Sequence, residues 1–140
     1  MIKDRYNNII ADLGLKDFSL DEDFEIIKGA FAHMAGRDYA ASRGEYLNSK
    51  VLAKYLGFDF IDAGKYIFFD DQGNFDWTKT EAKLAPKLAK TNKAVIPGFY
   101  GSMPNGTIKT FSRGGSDVTG SIVARATKAK LYENGTDVSG

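Results

Sequence analysis

A chain of 140 residues with 43% hydrophobic content can bury one core as one compact domain and is too short for two full ones. Its 19 Lys and Arg against 18 Asp and Glu leave a formal net charge of +1, which excludes the broad field that draws a protein to nucleic acid or an anionic membrane, so recognition is expected from a local site. With no cysteine there are no disulfides, thiolate metal sites or cysteine nucleophile, a composition that fits a reducing compartment. The start Met1-Ile2-Lys3-Asp4-Arg5-Tyr6 has no apolar run behind its basic residues, and no stretch reaches the length of a membrane span. A soluble, cytoplasmic protein is expected.

The first third reads as helical. Tyr6, Ile9, Ile10 and Leu13 recur at helix spacing before Gly14. Ser19 then precedes Leu20-Asp21-Glu22, acidic residues suit a first turn, and Phe24, Ile27, Ala30, Phe31 and Met34 define one face of a second helix ending near Gly36. A third helix is expected to begin between Ser42 and Glu45, to turn Leu47, Val51, Leu52, Tyr55 and Leu56 inward, and to stop at Gly57.

The pattern then changes. Phe58-Asp59-Phe60-Ile61 and Tyr66-Ile67-Phe68-Phe69 are short, aromatic and β-branched between Gly and Asp, and predict two strands. Lys79 to Lys90 predicts a helix that Pro86 should kink or divide. Ala94-Val95-Ile96 reads as a buried strand ended by Pro97-Gly98, Thr107 to Phe111 as a hairpin arm, Ser116 to Lys128 as a helix, and Lys130-Leu131-Tyr132 as a last strand. Helices alternating with short apolar strands predict an α/β layered domain with a largely parallel sheet. Because ligands sit at the carboxyl ends of strands in such sheets, a loop straight after the last strand suggests a longer relative.

The segment richest in chemistry is Phe111-Ser112-Arg113-Gly114-Gly115-Ser116-Asp117-Val118-Thr119-Gly120-Ser121. Glycines let backbone N–H groups approach an anion, a helix N-terminus adds positive potential, and Arg113 can grip a carboxylate with both arms of its fork. Asp117, in the first helical turn, would orient a donor or meet a phosphoryl group through metal or water. The same residues also make an ordinary turn, with Ser116 as N-cap and Asp117 complementing the helix dipole. No G-x-x-x-x-G-K-[ST] string occurs, which argues against a P-loop fold.

Arg113-Gly114-Gly115-Ser116-Asp117, preceded by Val95-Ile96-Pro97-Gly98-Phe99-Tyr100-Gly101 and followed by Thr136-Asp137-Val138, resembles the aspartate kinases of the amino-acid kinase family. In that family a V-P-G-F-x-G turn, an R-G-G-S-D loop and a W-T-D-V segment occur in this succession, so the resemblance rests on three motifs. Ser42-Arg43-Gly44-Glu45-Tyr46-Leu47 resembles its S-x-G-E-x-L segment, and the likeness runs from about Phe24 onward.

The resemblance implies a three-layer α/β/α amino-acid kinase-like fold, incomplete at both ends, in which residues 1–57 form a mainly helical substrate side and 58–140 an α/β part holding the R-G-G-S-D loop. It implies transfer of the γ-phosphoryl group of ATP, carried with Mg²⁺, to the side-chain carboxylate of L-aspartate, on the route to lysine, threonine and methionine. By motif position Arg113 would bind a substrate carboxylate with Gly114 and Gly115, and Glu45 would face the substrate ammonium. Ser116 and Asp117 would lie by the transferred phosphoryl group as catalytic residues, and Thr136 and Asp137 by the nucleotide. The full-length family implies a homodimer. Phosphoryl transfer is mostly positioning and charge stabilisation, which suits such a set.

Two departures bear on activity. The family's opening K-F-G-G-[ST]-S loop, whose lysine neutralises charge on the transferring phosphate, has no counterpart in this sequence, and the segments that follow T-D-V in the family, including its regulatory domains, are absent. Gly135 also stands where the family usually has tryptophan. A fragment of reduced or no activity is therefore expected. The alternatives are kinases for glutamate, acetylglutamate or a nucleoside monophosphate, or a non-catalytic module that binds an amino acid or a partner chain. His33 is read as helix packing, Trp77 as a loop anchor, and Lys79, Lys83, Lys87, Lys90 and Lys93 as a solvated face.

Overall fold

A computed structural model describes residues 2–112 and 115–135. The chain divides into two compact units: unit 1 holds Met1–Asp62 and Lys93–Pro97, and unit 2 holds Ala63–Asn92 and Gly98–Gly140.

Unit 1 is three helices and one pair of strands: α1 (Ile2–Asp12), α2 (Asp21–Ala32), α3 (Arg37–Leu56), β1 (Asp59–Phe60) and β2 (Ala94–Val95). Its helical core is built from Ile10 of α1, Leu20 before α2, Ile27 of α2, and Leu47 and Val51 of α3, with Tyr6, Phe24, Tyr39 and Tyr46 packed around them. Leu20 is completely buried, and burying a side chain of this size contributes about 1.5–3 kcal/mol. β1 and β2 pair in parallel, Asp59 beside Ala94 and Phe60 beside Val95, with the Ile61 N–H donating to the Val95 carbonyl at 3.0 Å.

Several helix limits differ from those expected. The second helix stops at Ala32, and His33, with its Nδ1 2.8 Å from the Gly29 carbonyl, sits at the cap rather than in the packing. Met34 has a left-handed φ of 59° and is 90% exposed, so it leaves the apolar face to which its spacing assigned it. The third helix starts at Arg37, before Ser42, because Gly36 supplies the N-cap with no side-chain bond to announce it. It ends as expected at Gly57, whose φ of +70° is the left-handed cap that glycine adopts without a Cβ clash. Leu47 and Val51 are buried, whereas Leu52, Tyr55 and Leu56 are exposed, because the packed stripe of α3 continues through Ser49 and Ala53 instead.

A buried polar cluster ties α2 to α3. Asp23, only 6% exposed, accepts bonds from the Tyr46 hydroxyl at 2.9 Å and from Lys50 Nζ at 2.7 and 2.9 Å. Burial, the Asp23 bond, and the charges of Asp23 and Asp62 push the Tyr46 phenol above its ordinary range, with Arg43 opposing. The Arg43 guanidinium lies over the rings of both Tyr39 and Tyr46, at 4.6 and 4.3 Å.

Unit 2 holds α4 (Ala63–Tyr66), α5 (Trp77–Ala89), β3 (Tyr100–Ser102), β4 (Ile108–Thr110) and α6 (Gly115–Thr127). β3 and β4 form an antiparallel hairpin with Tyr100 opposite Thr110 and Ser102 opposite Ile108, turning at Gly106 with φ +85°. The strand expected from Tyr66 is reduced to single bridges, Phe68 in parallel with Ser102 and Phe69 with Phe75, because Tyr66 closes α4. The Ile67 carbonyl comes so near the main chain of Gly101 that an added Cβ there would lie 2.5 Å from it.

α5 begins two residues before the expected start, at Trp77, where the Asp76 carboxylate caps it by accepting from the Lys79 N–H at 3.0 Å. Pro86 lies inside this helix without dividing it. Lys79, Lys83, Lys87 and Lys90 are exposed, as a solvated face requires. Lys130–Tyr132 is not a strand. No described segment pairs with it, and the Tyr132 hydroxyl instead packs on Gly120 of α6. The whole is an α/β fold in which the described strands form one parallel pair and one antiparallel pair. Among the described residues no helix is long and apolar enough to cross a membrane.

Candidate functional site

The residues singled out by sequence fall on both units. Glu45 is in unit 1; Ser116, Asp117 and Gly115 are in unit 2; Arg113, Gly114, Thr136 and Asp137 lie outside the described residues.

Glu45 is exposed and well inside α3, which starts at Arg37. A capping role at a helix start is therefore excluded for it. The residues just before it are structural. Ser42 is fully buried, its hydroxyl donating to the Tyr39 carbonyl at 2.7 Å and accepting from Arg43 Nε at 3.1 Å. Of the four residues Ser42-Arg43-Gly44-Glu45, the first two fasten the helix and the last presents a carboxylate to solvent. On the neighbouring helix, Tyr6 donates to Asn48 Oδ1 at 2.7 Å, and its phenol is raised chiefly by burial and then by the Glu45 charge, with Arg5 opposing.

In unit 2 the first turn of α6 carries Ser116 and Asp117, both exposed, the latter the acidic residue of that turn. This turn is in close contact with Gly98 and Phe99. A Cβ added to Gly98 would lie 3.2 Å from Ser116 Oγ and 3.3 Å from its Cα, and one added to Gly115 would lie 2.5 Å from Phe99 Cβ. Phe99 itself has a left-handed φ of 63°, a conformation that a residue with a side chain rarely adopts. Its N–H donates to Thr119 Oγ1 at 3.0 Å, and the Thr119 hydroxyl donates to the Gly115 carbonyl at 2.9 Å. The turn at Gly98–Phe99 and the start of α6 are thus bonded to one another, although the β3–β4 hairpin lies between them in the chain.

Further along the same helix, Asp117, Val118, Ser121 and Arg125 line a cleft of about 340 Å³ whose other wall is Phe75 and Trp77. The Arg125 guanidinium stacks 3.9 Å over the Trp77 ring. Trp77 is therefore the first residue of α5 pinned by a cation, and not a loop anchor. Phe111 packs its ring at a tilt against Phe69, centroids 4.9 Å apart, and against Phe75 at 6.1 Å. Phe99 stands in the sequence within the Val95–Gly101 motif, whereas a helical threonine such as Thr119 carries no signal of the bond it takes from the Phe99 N–H.

Comparison with known proteins gives the family of the chain. The family described as "Amino acid kinase family" matches residues 5–140. Aspartokinase 3 of Bacillus subtilis is 37% identical over 110 residues, which cover 72% of this chain and 24% of that protein. The crystal structure of Clostridium acetobutylicum aspartate kinase superposes with a TM-score of 0.92 and 55% identity, covering 99% of this chain and 32% of that one. E. coli aspartokinase III, solved in complex with aspartate and ADP, has the same fold at a TM-score of 0.61 and 24% identity, covering 77% of this chain and 27% of that one. The chain spans about a quarter to a third of the length of these relatives. With the match running through the S-R-G-E helix, the Gly98–Phe99 turn and α6, this chain belongs to the amino acid kinase family, and its relatives there are aspartate kinases.

Proposed function

We propose that this chain is the substrate-binding and phosphoryl-transfer part of an aspartate kinase catalytic domain, acting in the transfer of the γ-phosphoryl group of ATP to the side-chain carboxylate of L-aspartate. The observation that supports this reading is the joining of the Gly98–Phe99 turn to the first turn of α6, which brings together two segments that resemble aspartate kinase motifs. Identity of 55% with the Clostridium acetobutylicum enzyme supports it.

In this reading Arg113 pairs with a carboxylate of aspartate, Gly114 and Gly115 leave backbone N–H groups open to it, and Glu45 faces the ammonium. The exposed position of Glu45 suits a residue whose partner is a ligand. Ser116 and Asp117 stand by the transferring phosphoryl group, with the N-terminal end of α6 contributing positive potential to developing negative charge. Thr136 and Asp137 belong to the nucleotide side. Mg²⁺ is commonly held by one or two carboxylates and the nucleotide phosphates, and the exposed Asp117 carboxylate fits that need. The ion would neutralise phosphate charge when bound. A cytoplasmic location and a homodimer in the longer protein are part of the same proposal.

The test is isothermal titration of the chain with L-aspartate and then with Mg-ATP, using Arg113→Ala as control. Aspartate binding that vanishes in the variant supports the site, with ATP binding measuring how much of the nucleotide side this chain carries. No aspartate binding in the unmodified chain would overturn the reading for this chain and leave a partner-associating module as the alternative.

A further inference from the structure

We propose that Thr119 is a positioning residue for the aspartate site, the hydroxyl that locks the Gly98–Phe99 turn onto the first turn of α6. This rests on the reading of that turn as part of the site. Thr119 is 4% exposed and takes no place among residues that would touch a substrate.

A hydroxyl has one proton to give and can accept in return. Thr119 uses both capacities, giving its proton to the Gly115 carbonyl 4 residues back at 2.9 Å and accepting the N–H of Phe99, 20 residues back, at 3.0 Å. A threonine inside a helix often bonds the carbonyl four residues back, and Thr127 of the same helix does so, with Oγ1 3.0 Å from the Val123 carbonyl. That local bond is ordinary. What separates Thr119 from Thr127 is the incoming N–H from another segment.

The arrangement also needs its glycines. Gly115 has no room for a Cβ against Phe99, and Gly98 approaches Ser116 within 3.2–3.4 Å of where its own Cβ would be. Two glycines let the turn and the helix come together, and one hydroxyl holds them there. Phe99 sits in a left-handed conformation that an unfastened turn would relax. Without the hydroxyl the Phe99 N–H is left without its partner, Phe99 is free to leave φ 63°, and the contact that sets Ser116 beside Gly98 loosens.

The experiment compares Thr119→Val, which keeps the side-chain shape and removes the hydroxyl, with Thr119→Ser, which restores it, and with Thr127→Val as a helix control. Two quantities are read in each: the exchange rate of the Phe99 amide by NMR, and the affinity for L-aspartate by titration. In the unmodified chain the Phe99 amide should be protected. Thr119→Val should speed its exchange and weaken aspartate binding, each by about tenfold or more, the scale set by an unpaired buried N–H. Thr119→Ser should stay close to the unmodified chain on both measures, and Thr127→Val should change neither.

An unprotected Phe99 amide in the unmodified chain overturns the proposal, a measurement that needs no variant to fold. So does a Val variant that matches the unmodified chain, or a Ser variant that loses as much as Val. If the unmodified chain binds no aspartate, the proposed function fails, and the lock between turn and helix is then decided by Phe99 exchange alone.

Discussion

Lys50 Nζ lies 2.7 Å from one carboxylate oxygen of Asp23 and 2.9 Å from the other, joining α3 to α2 inside unit 1. Asp23 is nearly enclosed, its side chain 7% exposed against 31% for Lys50. The pair is therefore unequal: removing the lysine strands a buried carboxylate, whereas removing the carboxylate leaves an ammonium with access to water. Lys50→Met should lower the unfolding free energy by about 2–3 kcal/mol, below the full cost of breaking an enclosed pair because Lys50 is partly screened. Asp23→Asn should cost less. Urea denaturation of both variants checks the order, and an Asn variant less stable than the Met variant would refute it.

Tyr46 gives unit 1 a dependence on high pH. Its phenol is raised in the folded state, first by burial and then by the bond to and charge of Asp23. The unfolded phenol ionises near 10, so above that pH the unfolded chain releases a proton that the folded chain retains. The folded state then binds more protons, and stability falls as pH rises. The stabilisation is fully present below pH 10 and is lost as pH climbs toward the raised folded value. Unfolding midpoints measured from pH 8 to 11 should fall in the upper range, and Tyr46→Phe should flatten that fall while lowering stability at neutral pH by about 1–3 kcal/mol through the lost bond to a carboxylate.

The glycines of the two motif segments should respond in opposite ways to the same substitution. Gly115→Ala places a Cβ 2.5 Å from Phe99 Cβ, and overpacking of that kind costs about 1–3 kcal/mol. Gly44→Ala meets nothing within 4 Å and lies inside α3, where alanine is favoured over glycine by about 1 kcal/mol. Thermal unfolding should thus move down for the first and up for the second.

Trp77 is the sole tryptophan of the chain, so its fluorescence reports unit 2 alone. Arg125→Ala removes the guanidinium from its face and should shift and intensify or quench the emission relative to the unmodified chain, with a stability loss of about 0.5–1 kcal/mol for an exposed cation over a ring. An unchanged spectrum would mean that the stack is not populated in solution.

What was legible in the sequence followed from short-range signals. The three N-terminal helices, the α5 and α6 segments and the β4 arm are all present, because apolar spacing and glycine stops are local chemistry. The errors have physical causes. α3 begins early because a glycine N-cap offers no side-chain signal at Gly36. Tyr66 closes a helical turn despite its β propensity, and Lys130–Tyr132 finds packing on Gly120 instead of a strand partner.

Of the candidate site, the sequence carries the motif order, with Gly98–Phe99 ahead of Ser116–Asp117, but not the bonds that join them. That Asp23, next to the Asp21-Glu22 pair read as the first turn, is the hub of a buried cluster, and that Thr119 bonds Phe99, depend on pairings 23 and 20 residues apart that periodicity does not encode.

The path of the chain through its two units has a consequence for how the protein is made. β2, which completes the strand pair of unit 1, follows a stretch, Ala63–Asn92, that belongs wholly to unit 2. As the chain leaves the ribosome, β1 must wait with an unpaired edge until that stretch has been synthesised, and closing the intervening loop carries an entropic cost that grows with its length. Neither unit can be excised as a contiguous piece, and the slowest step in forming unit 1 should be the arrival of Ala94 beside Asp59.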